Sequence, residues 1–425
     1  MLDINLIRQN PEIVKKGIAS KNTNPKLVDD FLALDENWRK LTKEIDDLRA
    51  EQNKLSDERK IEEATKIKDK IQSLEKDLKN IEKNREEILW QIPNLPSEDT
   101  PVGRNESENK VLRQWSEPKK FDFKPRDHVE LGELLDIIDI GHASKVSGTR
   151  FNYLKGPAAL LEFSLINYVF DVLTDKKIIK SFAAKIDKNY PDKPFIPVLP
   201  PTMIRPDVLD KMGRLKPEEE RYYIPKDDLY LAGSAEHTLG PLHMDEIIPG
   251  EKLPIRYVGF STSFRREAGS YGKDTRGILR VHQFDKLEIE SFTVPEDSTK
   301  EQDFIVAIQE YLMQSLEIPY QVVAICTGDM GGPDTRQIDI EAWLPSQNRY
   351  RETHTSDMMT DYQARRLNTR VKRKDGKLEF VHMNDATAFA IGRTLIAILE
   401  NYQQKDGSIL VPKVLQKYLN FKKIG

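Results

Sequence analysis

Cysteine is nearly absent from this chain. The single thiol, Cys326, excludes an internal disulfide framework and any zinc site built on cysteine clusters, and it fits a reducing compartment. No window approaches the roughly 18 uninterrupted apolar residues that a membrane-spanning helix needs. The opening residues, MLDINLIRQN, lack both the cationic start and the apolar stretch of a secretory leader. Charge of one sign is also missing. A formal net charge of -4 argues against a uniformly basic nucleic-acid binder, without excluding a local basic surface. Nor is there a G-x-x-x-x-G-K-[ST] phosphate loop, a G-x-G-x-x-G fingerprint, or a HIGH or KMSKS string. Nucleotide chemistry in this chain would have to be built on an antiparallel sheet. What is present is a chain of 425 residues, 38% apolar and 32% charged, which suits a globular protein of two or three domains with one highly charged portion.

That portion is residues 35–90. Leu34, Trp38, Leu41, Ile45, Leu48 and Leu55 recur in a 4-3-4-3 rhythm, with Gln52 filling one gap. After a polar break near SDERKIEE the rhythm resumes at Ala64, Ile67, Ile71, Leu74, Leu78, Ile81 and Ile88. The spacing predicts two helices folded back as an antiparallel hairpin, each about 35 to 40 Å long at about 1.5 Å per residue. Acidic and basic residues nearly balance there, at 16 and 14, so no strong field is aimed at a nucleic acid. A dimerising coiled coil and a protruding arm that holds a partner both remain open. A proline-rich linker, IPNLPSEDTPVG (residues 92–103), stops the second helix.

A mixed pattern follows. Residues 151–173 read as a long amphipathic helix, and FIPVLPPTMI as a short strand closed by prolines at an edge or interface. RYVGFSTSFRRE, ILRVHQFDKLEIESF and RQIDIEAWLP read as strands, and AFAIGRTLIAILENYQ as a helix apolar almost all round. Residues 265–288, RREAGSYGKDTRGILRVHQFDKLE, form a cationic, glycine-bearing hairpin. Strand alternation puts Arg280, His282, Phe284 and Glu288 on one face of its second strand, and Arg265 and Glu267 on one face of its first. An aromatic ring flanked by guanidinium groups suits a purine and its phosphates, and the loop between suits closure over an anion. A surface hairpin laced with salt bridges is the plain alternative. Glu352 and Thr355 in RYRETHTSD offer a carboxylate and a hydroxyl that suit a shared magnesium ion. Arg393, set in the apolar helix, has to be paired or face a ligand, because an unpaired buried charge is very costly.

Over essentially its full length the chain resembles the bacterial-type seryl-tRNA synthetases, which are class II aminoacyl-tRNA synthetases. The opening MLDINLIRQNPEIVKKG, the helical hairpin and the proline linker are similar to that family's tRNA-binding N-terminal domain. The helix from Leu154 with the strand ending at Pro200 resembles the first class II motif, which forms the dimer interface. FRREAGSYGKDTRGILRVHQFDKLE resembles the second motif and AIGRTLIAILENYQ the third, with CTGDMGG and YQARR as further family strings. The resemblance implies an α+β fold, an antiparallel sheet flanked by helices, behind an N-terminal two-helix arm. The expected domains are residues 1–104, with the arm at about 30–91, and residues 105–425.

It also implies ATP-dependent attachment of serine to tRNA through a seryl-adenylate, in a cytoplasmic homodimer with no membrane or DNA partner, and leaves charging of the selenocysteine tRNA open. Arg265, Arg393 and Glu352 become the expected catalytic residues. Arg265 would grip the α-phosphate and the serine carboxylate, and Arg393 the γ-phosphate of a bent ATP. Phe284 would stack on adenine, with the Val281 main chain and Glu267 at its edge; Arg280 would assist the phosphates. Glu352 and Thr355 would bind magnesium, and Arg266, Thr353 and His354 complete the ATP set. Serine would be held by Ser234, Ala235, Glu236, Arg265, Glu288, Asp385 and Thr387. No protein-bound zinc is expected.

The amino-acid pocket departs most from the family. GSAEHTLGPL stands where PTAEVPLTNL is usual, adding Ser234 and His237; RETHTSD introduces His354 and Asp357; and MNDATAFA introduces Asp385. Lineage drift with serine still the substrate, a changed amino-acid preference, and a metal site shared by His237, His243, His282 and His354 are the competing accounts. A non-catalytic RNA- or partner-binding paralogue is opposed by the retained Arg265, Glu267, Phe284, Glu352 and Arg393. A relative that loads a carrier protein is opposed by the long arm.

Overall fold

The structure is a computed structural model that describes residues 1–268 and 276–425. The chain divides into two compact units, Met1–Pro96 and Ser97–Gly425. In the first, two short helices, Ile4–Gln9 and Pro11–Ser20, precede α1 (Lys26–Asp57) and α2 (Ile61–Gln91). These last two pair as the expected hairpin, and Ile45, Ala64 and Ile71 of the heptad seam are buried between them. At 32 and 31 residues each is about 48 Å long, longer than expected. The helix starts well before Leu34, because Val28 and Phe31 already have a buried N-terminal cluster to pack into. Asp35 is fully buried there and held by Arg8 at 2.8 Å, Arg85 at 2.8 Å and Arg39 at 3.2 Å. The Arg85 guanidinium also lies 4.9 Å from the Trp38 ring centroid.

The division between units falls earlier than the boundary after residue 104 that the sequence suggests. Residues past Pro96 are tied into the second unit: Ser97 N–H donates to the Thr335 carbonyl at 2.8 Å, and Gly103 N–H to the Thr327 hydroxyl at 3.3 Å.

The second unit is built on a sheet of eight strands among the described residues. In chain order these are β1 (Lys110–Trp115), β2 (Ile196–Val198), β3 (Ile255–Phe264), β4 (Gln283–Thr293), β5 (Tyr320–Ala324), β6 (Arg336–Leu344), β7 (Arg349–Thr360) and β8 (His382–Ala390). Their spatial order is β1-β5-β6-β7-β8-β4-β3-β2, antiparallel throughout except where β2 runs parallel to β3 at the edge. The alternation of β4 explains the layering. Leu287 and Ile289 point into the main core, under α3 (Pro157–Thr174), α4 (Ser298–Ser315) and α5 (Ile391–Tyr402). Lys286, Glu288 and Glu290 therefore face the other way. By length and hydropathy alone α3 could cross a membrane; it carries Glu162 and Asp171 and buries Leu161, Leu165, Val169 and Val172 in that core.

Four local readings are corrected. The helix expected from residue 151 begins at Pro157, because Tyr153–Leu154 pairs with Ile138–Asp139 and Gly156 turns the chain at φ +51°. The single strand expected over residues 195–204 is two, and Met203–Ile204 pairs in a different sheet. Strand β3 stops at Phe264, so Arg265 and Glu267 do not share a strand face; Glu267 sits at φ +52°. The buried helix starts only at Ile391, because residues before it complete β8.

Candidate active site

The cation-rich hairpin and the start of α5 meet at a cleft of about 210 Å³, lined by Phe284 and Lys286 of β4. At its aromatic end the Arg265 guanidinium lies 5.3 Å from the Phe284 ring centroid. Two bonds fix that arginine: its N–H donates to the His282 carbonyl at 3.0 Å, and Nε donates to the Gly233 carbonyl at 3.0 Å. Val281 lines the same end, and Glu267 and Arg280 face each other as an ion pair across it. The cationic loop expected to close over an anion lies, at residues 269–275, outside the described residues.

Arg393 projects from the first turn of α5 into the cleft. Its Nη1 is 2.8 Å from Glu352 Oε1 and 3.0 Å from the Glu352 carbonyl. Its side chain is 26% exposed rather than buried, because it leaves the first turn on the cleft side while Ile391 of the same turn enters the core. Glu352 and Thr355 are three residues apart, a spacing that in a regular strand puts side chains on opposite faces. The register of β7 against β6 slips between Ile340 and Glu341, leaving Thr353 as an extra residue. This bulge returns Glu352 and Thr355 to one side, and both line the cleft. Burial raises the Glu352 carboxyl, but Arg393, then Arg265 and Lys286, outweigh it and hold the group below its ordinary value. A carboxylate on the cleft wall beside a hydroxyl is an oxygen donor set suited to a hard divalent cation.

The far end of the cleft is acidic. Glu236, Glu288 and Asp385 each present an oxygen within 4.8 Å of the others, and all three are buried. Cross-strand pairing sets up a second crowd: Glu290 opposes Asp385, which in turn opposes Asp357. Like charges opposite one another destabilise a sheet. Burial, reinforced by neighbouring carboxylates, pushes the Glu290, Asp357 and Asp385 carboxyls well above their ordinary range. Two cations answer them. Lys286 Nζ is 2.7 Å from Glu288 Oε2 and 3.5 Å from the Ser234 hydroxyl. Arg214 Nε is 2.8 Å from Glu236 Oε1, and its Nη2 is 3.2 Å from Asp385 Oδ2. Burial raises the Glu236 carboxyl, yet Arg214 brings it below its usual value.

The cleft thus gathers Arg265, Glu267, Arg280, Val281, Phe284, Glu352, Thr353, Thr355, Arg393, Glu236 and Thr387. Thr387 also lies 3.3 Å, hydroxyl to hydroxyl, from Thr355. Ser234, Glu288 and Asp385 stand behind the lining and reach it through Lys286 and Arg214. Ala235 is fully buried against Leu239 and Gly259. Two expected ATP residues do not face the cleft. Arg266 turns to the Arg221 carbonyl at 2.9 Å and the Tyr222 ring at 4.8 Å, because the chain has already left β3. His354 is the neighbour of the bulged residue and points into the core, with its ring edge-on to Phe389 at 5.5 Å.

His282 is also not a cleft residue. Its Nδ1 meets the Arg265 carbonyl at 3.0 Å, which makes it a brace for the hairpin. The other histidines weighed as a metal set engage different partners. His237 Nδ1 accepts from Gly233 N–H at 3.1 Å, and His243 Nε2 lies 2.9 Å from the Tyr257 hydroxyl. Sequence reasoning missed Lys286, Glu290 and Arg214. The string KLEIE carries the first two by simple alternation with Glu288; nothing marks Arg214, which follows a short helix in irregular chain.

Residues 1–96 match the family of seryl-tRNA synthetase N-terminal domains. Residues 220–402 match the tRNA synthetase class II core domain (G, H, P, S and T). A curated serine–tRNA ligase from Dictyoglomus turgidum is 44% identical across 100% of this chain and 99% of its own length. One from Pseudothermotoga lettingae is 40% identical across 100% of both. Among solved structures, seryl-tRNA synthetase from Pyrococcus horikoshii complexed with ATP superposes with a TM-score of 0.91 at 39% identity, covering 100% of this chain and 99% of that one.

Proposed function

Because the chain belongs to the seryl-tRNA synthetase family, and so attaches serine to tRNA using ATP, we propose that this cleft makes seryl-adenylate with the residues just described. The observation that carries this reading is the joining of two unlike ends in one cavity. A stacked aromatic–arginine platform with Arg393 and Glu352 lies at one end, and a buried acidic pocket at the other. The purine of ATP takes the Phe284 face, displacing or sandwiching against Arg265, while Val281 offers main-chain polar groups to its edge. Arg265 and Arg280 hold the phosphates near the centre, and Arg393 holds the γ-phosphate. Glu352 and Thr355 would hold magnesium, which would supply charge neutralisation of the triphosphate.

Serine enters the acidic end, with its ammonium group toward Glu236 and Glu288 and its hydroxyl within reach of Thr387. A carboxylate oxygen of serine attacks the α-phosphorus. The new P–O bond forms as the bond to the bridging oxygen breaks, and pyrophosphate departs on the Arg393 side. The 3′ hydroxyl of the terminal adenosine of tRNA then takes the seryl group, and AMP leaves. Little covalent work falls to the protein, so alignment and cationic stabilisation carry the rate. A pocket that hydrogen-bonds a hydroxyl rejects alanine and glycine by about 10⁴ to 10⁵ without editing.

The finer assignments follow from the same reading. The protein acts as a homodimer in the cytoplasm. Leu160 and Phe163 of α3, Ile196 of β2 and Leu199 just after it are exposed apolar side chains of the kind a second copy covers. The helical arm recognises tRNA by shape. ATP–pyrophosphate exchange measured with each amino acid in turn is expected to respond to serine alone; exchange with another amino acid, or with none, would overturn the assignment. Replacing residues 41–80 of the arm by a short glycine–serine turn is expected to leave that exchange intact and to abolish charging of serine tRNA. Unchanged charging would remove the arm from tRNA recognition.

A further inference from the structure

The amino-acid end of the cleft contains a cation that the serine reading leaves without a task. Arg214 sits just after the short helix Pro206–Lys211, where Gly213 turns the chain at φ +71°. Its carbonyl is pinned by Arg221 Nε at 2.9 Å. The side chain is only 17% exposed and lies between acids: Nε is 2.8 Å from Glu236 Oε1, which lines the cleft, as an ion pair without hydrogen-bond alignment, while Nη2 donates to Asp385 Oδ2 behind it at 3.2 Å and lies 4.0 Å from Asp334 Oδ1. A planar guanidinium bonded to one carboxyl and paired with another holds its charge at a set place between them, which a flexible ammonium does not.

We propose that Arg214 is a positioning residue of the amino-acid pocket, matched to Asp385, and that this pair sets the orientation and charge with which Glu236 meets the substrate's ammonium group. The proposal rests on the serine reading and deepens it. The charge balance shows why the two must be matched. Glu236, Glu288 and Asp385 share a space less than 5 Å across, with Lys286 assigned to Glu288. If Arg214 lost its charge, the Glu236 carboxylate would be left beside the buried Asp385 carboxyl without its closest cation, and would take up a proton or swing away. If Asp385 no longer held Nη2, Arg214 would be freed toward Glu236 and neutralise the group that should receive the ammonium. Each single loss damages serine binding by a different route; losing both removes the cation and the group that restrains it together. Asp385 thereby serves Arg214 rather than the substrate directly.

The test is a double-mutant cycle in the full chain, with KM for serine and for ATP measured by pyrophosphate exchange in wild type, Arg214→Gln, Asp385→Asn, Arg214→Lys and the Gln/Asn double variant. Each neutral single variant is expected to raise KM for serine about tenfold or more, the scale of a charged hydrogen bond, with KM for ATP unchanged. Arg214→Lys keeps the charge without the fork and is expected to fall between wild type and Arg214→Gln. The double variant is expected to return to within about threefold of wild type. Additive losses, a silent Arg214→Gln, or parallel rises in both KM values would overturn the pairing. If Arg214→Gln does not fold, Asp385→Asn and the double variant decide: a double variant worse than Asp385→Asn overturns it. Wild-type protein that activates no serine would sink the functional reading itself; normal serine activation with an inert Arg214→Gln sinks only the pairing.

Discussion

The two faces of the central sheet bury charge in opposite ways. On the helix-covered face Arg256 and Glu301 are both fully buried and joined twice, Nε to Oε1 at 2.7 Å and Nη2 to Oε2 at 2.8 Å. Arg256 Nη1 donates to the Pro191 and Lys193 carbonyls, and Glu301 also accepts from Ser291 and Tyr190. The guanidinium lies 4.2 Å from the Phe304 centroid. Burial works against the Glu301 carboxylate, yet Arg256 keeps it below its ordinary value. On the cleft face, Arg214 is split between two acids, while Glu290, Asp385 and Asp357 crowd one another and are driven upward. Asp35 in the N-terminal unit follows the first pattern, with three arginines around one carboxylate. Carboxylates with enough cations are structure. Carboxylates that outnumber their cations hold a place for a positive ligand, and the protein gives up stability to keep it.

The strongest way to break this contrast is to remove Arg256. Arg256→Met strands a buried carboxylate that has no other ion-pair partner among the described residues and is expected to destabilise the second unit by about 3 to 5 kcal/mol in denaturant unfolding. A double replacement, Arg256→Met with Glu301→Leu, is expected to recover most of that loss. Among folded molecules, KM for serine is expected to stay at its wild-type value, in contrast to the Arg214 variants. A mild effect of Arg256→Met on stability would mean that the two faces differ less than their geometry suggests.

What could be read beforehand follows the same division. Regular repetition was legible: the heptads from Leu34 to Ile88 give the helical hairpin, and RQIDIEAWLP gives β6. Phe284, Arg265 and Arg393 were legible as one nucleotide seat from residue chemistry and family resemblance, and all three line the cleft. The failures came where backbone irregularity decides direction. His354 and Arg266 were assigned to ATP from their neighbours in the chain, yet the bulge at Thr353 and the end of β3 at Phe264 turn them elsewhere. The same bulge is what unites Glu352 with Thr355, and alternation alone would have separated them. Arg214 was invisible for a different reason. Its partners come from β8 and from the segment after residue 231, so only folding brings them to it.

The smallest expected effect has the most specific sign. Glu290 is fully buried on the cleft side of β4, opposite Asp385, and neither of its oxygens has a hydrogen-bond donor among the described residues. Burial, then Asp385 and Glu236, raises its carboxyl well above the ordinary value. Above that ordinary value the folded protein holds a proton that the unfolded chain releases, so unfolding becomes more favourable as pH rises. The linked stability is complete in acid and is lost upward through the window until the folded group itself ionises. Glu290→Gln removes the titration while preserving shape. It is therefore expected to stabilise the second unit at neutral pH, each unit by which the folded group lies above its ordinary value being worth about 1.4 kcal/mol. The gain should shrink toward zero as pH falls to the ordinary carboxylate range, when measured by thermal unfolding across pH. A serine site built from crowded acids should also let the substrate's ammonium group recover part of that deficit, so added serine should stabilise wild type more than Glu290→Gln. If Glu290→Gln were instead destabilising at every pH, Glu290 would have a structural partner after all, and the crowding on the cleft face would not be the source of strain inferred here.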